Sequence, residues 1–100
     1  MQEGQISTQL ARFYLALNLF NYDQKYEEAL RLIAPLAERY PGNPIFLLTR
    51  GDLNAKLGRR QQAETYYRAA EAAATEIPDT ECRAKMKRLA RESLAALQRE

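Results

Sequence analysis

The sequence predicts an all-α chain, a right-handed helix-turn-helix solenoid of five helices, and three observations carry that expectation. The first is a period: Ala29 and Ala63 lie 34 residues apart, and the same offset joins Leu19 to Leu53, Gln24 to Gly58, Lys25 to Arg59 and Pro44 to Pro78. Self-similarity at such a spacing marks a supersecondary unit that stacks on its neighbour to bury a shared core. The second is composition. Leu, Ala, Arg, Glu and Gln dominate and Val is absent, so most side chains lose little rotamer freedom in a helix. The third is patterning, with apolar residues recurring at three- and four-residue steps between clusters of Pro, Gly and Asn.

Taken in order, the first helix starts near Ser7, a suitable N-cap, and runs to about Asn21 with Leu10, Phe13, Ala16, Leu17 and Phe20 on one stripe. Asn21-Tyr22-Asp23-Gln24 is a turn, because short polar side chains compete there for backbone hydrogen bonds. The second helix runs from about Lys25 to Tyr40 with Ala29, Leu30, Ile33, Leu36, Ala37 and Tyr40 inward. Pro35 lies inside it, removing a donor and crowding the carbonyl of Arg31 at a cost of about 3 kcal/mol. The apolar spacing continues across it, so the expectation is one kinked helix rather than two. Pro41-Gly42-Asn43-Pro44 then stops the chain, with Asn43 placed to cap a third helix over about 44–57 and Pro44 preset for its first turn.

Gly58 closes that helix, and a fourth spans about Arg60 to Glu76 with Ala63, Tyr66, Tyr67, Ala70 and Ala74 on its packing side. Ile77-Pro78-Asp79 interrupts. The last helix starts at Asp79 or Thr80 and reaches about Gln98, with Cys82, Met86, Leu89, Ser93 and Leu97 on one face. The chain therefore reads as one domain over 1–100: a repeat at about 10–44, a second at about 45–78, and a capping helix at about 79–98. A chain of this size buries roughly 65% of its extended surface, enough for one continuous core.

Charge narrows the partners. Residues 1–44 carry four basic and five acidic side chains, residues 45–78 five and four, and residues 79–100 six and four. The excess is small and C-terminal, short of the broad basic footprint that phosphate-backbone binding uses, so no nucleic acid is expected. No apolar run reaches the roughly 20 residues of a membrane span, and no basic segment leads into an apolar core at the N-terminus. A soluble chain follows, cytoplasmic or periplasmic, without membrane insertion. One cysteine excludes an internal disulfide, and the absence of histidine removes ordinary zinc sets and His-based triads. Neither metal nor cofactor is expected, and no carboxylate spacing points to a paired acid and base, so the chain is read as non-enzymatic.

On these residues the chain resembles the tetratricopeptide repeat family across both repeats and the following helix. The family pattern falls on Gly51, the small residue where paired helices approach, and on Gly58, Ala63, Tyr67 and Ala70; the first repeat matches at Tyr26, Ala29 and Pro41, with Leu17 and Leu36 in place of small residues. The run from Tyr26-Glu27-Glu28-Ala29-Leu30 to Pro41-Gly42-Asn43-Pro44 looks like bacterial members of the family. The resemblance implies a superhelix whose concave groove, lined by the first helix of each pair, binds a peptide or partner segment. Carried over, it gives Tyr14, Asn18 and Tyr22 in the first repeat and Leu48, Asp52 and Lys56 in the second. On the last helix a one-residue shift puts Cys82, Met86 and Leu89 inward and Arg83, Lys87 and Arg91 in the groove, the latter at i, i+4 and i+8.

Two readings of these residues stand side by side. In one, Tyr14, Tyr22 and Leu48 give apolar contact while Asn18, Arg83 and Lys87 supply hydrogen bonds to a bound segment. A carboxylate clamp is the narrower version, weakened because Tyr14 and Asp52 stand where the family uses Lys and Asn, and because Asp52 itself is expected to pair with Arg83 or Lys87. In the other, the tyrosines pack at an edge and the charges form a solvated face. Cys82 is read as a buried thiol on the apolar face, and Tyr66-Tyr67 as half core and half surface. Self-association is the second function class, because the first repeat has no polar capping helix ahead of it and leaves apolar surface for a homodimer or a longer array.

Overall fold

The computed structural model describes residues 25–99, and these are helical throughout apart from three short connections. Helix α1 spans Tyr26–Arg39, α2 Pro44–Lys56, α3 Arg60–Thr75 and α4 Thr80–Arg99, with no strand among the described residues. The all-α expectation holds for them. The helix expected near 7–21, with Leu10, Phe13, Leu17 and the turn at Tyr22, lies outside the described residues.

The breakers act as their chemistry dictates. Asn43 Oδ1 accepts from the backbone N–H of Ile45 at 3.0 Å and of Phe46 at 3.4 Å, satisfying two of the donors that a helix start leaves open, and Pro44 occupies the first turn. Gly58 takes a φ of +78°, which lets its own N–H reach the Ala55 carbonyl at 3.1 Å and that of Arg59 reach Asn54 at 2.8 Å. This paired arrangement closes α2 and turns the chain into α3. Asp79 Oδ1 accepts from the Cys82 N–H at 3.1 Å and so starts α4. Pro35 sits on the exposed side of α1, which runs through it as a single helix.

Each helix packs on the next in chain order, and α2 also touches α4. Ala29, Ile33 and Leu36 of α1 meet Leu53 of α2, while Ala37, Leu47, Ala70 and Ala90 bring all four helices to one cluster. Ile33 and Leu53 are fully buried, each contributing about 1.5–3 kcal/mol relative to exposure. Gly51 of α2 lies against the Tyr67 ring of α3: a Cβ built there would stand 2.6 Å from Cδ1 and Cε1 of Tyr67.

Two inward expectations are corrected. Tyr40 follows the last turn of α1 and is 37% exposed, its ring tilted 6.1 Å from that of Phe46. On α4 the buried residues are Ala90 and Leu97, flanked by half-buried Arg83, Met86, Lys87, Ser93 and Leu94, whereas Leu89 and Cys82 are exposed. The helix has rotated from the expected stripe toward one that carries the stems of two cations. Long basic side chains cover apolar surface with their methylenes while the charge stays wet, so they take packing positions that residue type alone does not announce.

Candidate binding surface

The expected groove residues of α2 share one side of that helix, four residues apart. Leu48 is half-buried against the cluster of Ala63, Tyr67 and Leu97, Asp52 is half-buried beside it, and Lys56 is exposed at the end. The Tyr67 hydroxyl donates to Asp52 Oδ1 at 2.5 Å. Burial raises the Asp52 carboxyl above its ordinary value, opposed in part by that hydrogen bond and by the charge of Lys56.

Asp52 is held by Tyr67, not by Arg83 or Lys87 as expected from the sequence. The reason is helix register. Leu48 and Tyr67 meet α4 at Leu94 and Leu97, and at 1.5 Å per residue Arg83 lies about 20 Å and Lys87 about 15 Å along the axis from Leu97. The cations on α4 find partners nearer their own end. Arg83 Nη1 donates to the Ile77 carbonyl at 3.2 Å, and Arg91 Nε donates to Glu71 Oε2 on α3 at 2.6 Å. Lys87 is half-buried and makes no ion pair among the described residues.

Arg83, Lys87 and Arg91 nevertheless line one cavity of about 530 Å3 along α4, together with Arg88 and Glu92. Its described lining comes from α4 alone, so the structure brings the three cations together but does not join them to Leu48, Asp52 and Lys56. Tyr14, Asn18 and Tyr22 lie outside the described residues. Cys82 borders a different cleft, with Tyr40, Ile45, Ile77 and Met86, of about 630 Å3. It is exposed rather than buried because the rotation of α4 carries position 82 off the packing face.

Two features of this surface have only weak signals in the sequence. Ile45, 46% exposed just after the Pro-Gly-Asn-Pro turn, forms an apolar cleft with residues more than 30 positions away. A smaller cavity gathers Arg31 of α1, Arg50 and Asn54 of α2, and Arg59 and Tyr66 around the start of α3. The 34-residue offset of Lys25 and Arg59 puts a basic residue just before α1 and just before α3, but nothing in linear order places Arg31 and Arg50 beside them. Among the described residues no group of three or more His, Cys, Asp or Glu side chains is arranged to hold a metal ion, and no helix is long and apolar enough to cross a membrane. No family model, curated protein or solved structure matches the chain.

Proposed function

We propose that the chain is a non-enzymatic interaction scaffold of the tetratricopeptide kind, whose α4 surface holds a peptide or partner segment bearing carboxylates. The observation that carries this reading is the α4 cavity, where four cations face one carboxylate and Lys87 has no ion-pair partner among the described residues. Complementary charge steers and orients a partner more than it adds raw affinity, so modest binding with strong salt dependence is expected. The in-order packing of helices and the Gly51–Tyr67 approach support the solenoid assignment. Leu48 and Asp52 meet α4 at its other end, beside Leu94 and Leu97, so they are not part of this contact, whereas Tyr14, Asn18 and Tyr22 remain candidates for its flank.

Fluorescence anisotropy with acidic, neutral and basic labelled peptides tests it. Acidic peptides should bind most tightly, and Lys87→Glu should weaken them by about tenfold, the effect of roughly 1.4 kcal/mol. Equal binding of all three classes, or no change in the variant, would overturn the reading. Self-association is the second reading, favoured by the apolar cleft of Ile45, Ile77 and Met86. It expects a mass by light scattering that rises with concentration and falls back in Ile45→Ser.

A further inference from the structure

A separate cavity of about 280 Å3 lies where α1, α2 and the start of α3 converge, sharing no lining residue with the α4 surface. Its walls carry three guanidinium groups, Arg31, Arg50 and Arg59, against one carboxylate, Glu27. That carboxylate is already engaged: Arg59 Nη2 donates to Glu27 Oε1 at 2.5 Å. Arg31, one helical turn from Glu27, makes no ion pair among the described residues. The remaining charge of the walls is therefore positive and comes from two different helices.

Arg50 is the unusual member. Its side chain is only 17% exposed, and its guanidinium carbon lies over the Tyr66 ring, 4.3 Å from the centroid. A guanidinium has five N–H donors, yet among the described residues Arg50 makes one side-chain hydrogen bond, 3.4 Å to Glu38. That separation exceeds the usual 2.7–3.2 Å range, and Glu38 is 69% exposed. No buried polar side-chain atom among the described residues lacks a partner, so the other donors of Arg50 are not sealed in the interior, and Arg50 is one of the residues that line this cavity. A stacked, largely desolvated guanidinium with spare donors is preorganised for an oxyanion.

We propose that this cavity is a binding site for a phosphate group. Arg31 and Arg50 offer forked donors from two helices, and Asn54 lines the same wall with its amide donating to the Arg50 carbonyl at 2.8 Å. A phosphate dianion matches the charge of Arg31 and of Arg50, whose one carboxylate partner among the described residues is the distant, exposed Glu38. The volume admits one phosphate with a few waters, each of which takes about 30 Å3. It lies at the lower edge of the roughly 300–1,000 Å3 range of ligand sites. The ligand is thus inorganic phosphate or the head of a small phosphate monoester.

Nuclear magnetic resonance titration of the full chain at constant ionic strength tests the site, with inorganic phosphate, phosphoserine as the monoester, and sodium chloride as the control. Saturable shifts of the Arg50 Nε–H and the Asn54 side-chain amide are expected with both phosphates and not with chloride. A tighter fit for phosphoserine makes an ester the source and a tighter fit for the ion makes it free phosphate; both orders support the site. Arg31→Gln, an exposed change, should weaken binding about tenfold, as loss of a charge-assisted hydrogen bond does. Glu27→Gln should tighten it about threefold by removing the competing carboxylate. Linear shifts that chloride reproduces, or weaker binding in Glu27→Gln, would overturn the proposal, and neither variant alters a buried side chain.

Discussion

The α2–α3 and α3–α4 interfaces are held in different ways. Between α2 and α3 the missing side chain of Gly51 receives the ring of Tyr67, which is 4% exposed and tied through its hydroxyl to Asp52. Between α3 and α4 only Ala90 and Leu97 are buried among the twenty residues of α4, and the rim is closed by Arg91 to Glu71, an exposed pair. Surface ion pairs of this kind contribute about 0–1 kcal/mol. One interface is fixed by shape, and the other rests on a thin apolar seam with cationic stems along its edge. Stability resides in the first, while the second leaves charge available to a partner.

Gly51→Ala is the sharpest way to break the shape-fixed side. Alanine gains about 1 kcal/mol of helix propensity over glycine, but its Cβ would meet the Tyr67 ring at 2.6 Å. The ring cannot swing aside, being buried and bonded at its far end. Overpacking of this kind costs about 1–3 kcal/mol, so denaturant titration should show a net loss of about 1–2 kcal/mol. In a Tyr67→Leu background the same change should become neutral or stabilising, because the two residues share one space. An unchanged midpoint for Gly51→Ala alone would show that shape does not fix this interface.

The same contrast explains what the sequence made legible. The ends of the four described helices fall within one or two residues of expectation, since Asn43, Gly58 and Asp79 act through local hydrogen bonds that their residue types announce. The α2–α3 contact was readable only through the resemblance to the tetratricopeptide pattern, which sets Gly51 as the small residue and Tyr67 as the ring that fills its space. The rotation of α4 was hidden. Of the expected face Cys82, Met86, Leu89, Ser93 and Leu97, the last two and Met86 pack, yet Cys82 and Leu89 are exposed while Ala90 is buried and Arg83 and Lys87 are half-buried in their place. The arginine cavity was hidden for another reason, since three helices must assemble before Arg31, Arg50 and Arg59 share a wall.

Asp52→Asn sharpens the comparison from within the tight interface. Burial raises the folded-state pKa of Asp52 above its ordinary 3.8, so the folded chain holds that proton more firmly than the unfolded chain. Its contribution to stability is then fully present below the unfolded value and is lost as pH rises through the folded one. Asparagine keeps an oxygen for the Tyr67 hydroxyl and never ionises. The stability of the variant relative to the parent should therefore rise between pH 3 and pH 7, measured as denaturation midpoints. A difference flat across that range would mean that Asp52 ionises freely in solvent, and that Tyr67 rather than the carboxylate's surroundings organises the contact.

The smallest expected effect belongs to Leu89→Ser, and its size decides which face of α4 is packed. Had the apolar stripe faced α3, Leu89 would sit in the seam, and truncating a buried leucine costs about 2–5 kcal/mol. Leu89 is instead 37% exposed beside a fully buried Ala90, and substitutions at such surface positions stay within about 0.5 kcal/mol. A near-neutral denaturation midpoint is the expected outcome, and a loss above about 2 kcal/mol would restore the stripe and turn Arg83 and Lys87 outward. The binding surface follows that choice: with Leu89 outward, Lys87 lies partly sunk at the edge of the seam, where lower effective dielectric makes its charge count for more toward a partner than that of a free surface lysine.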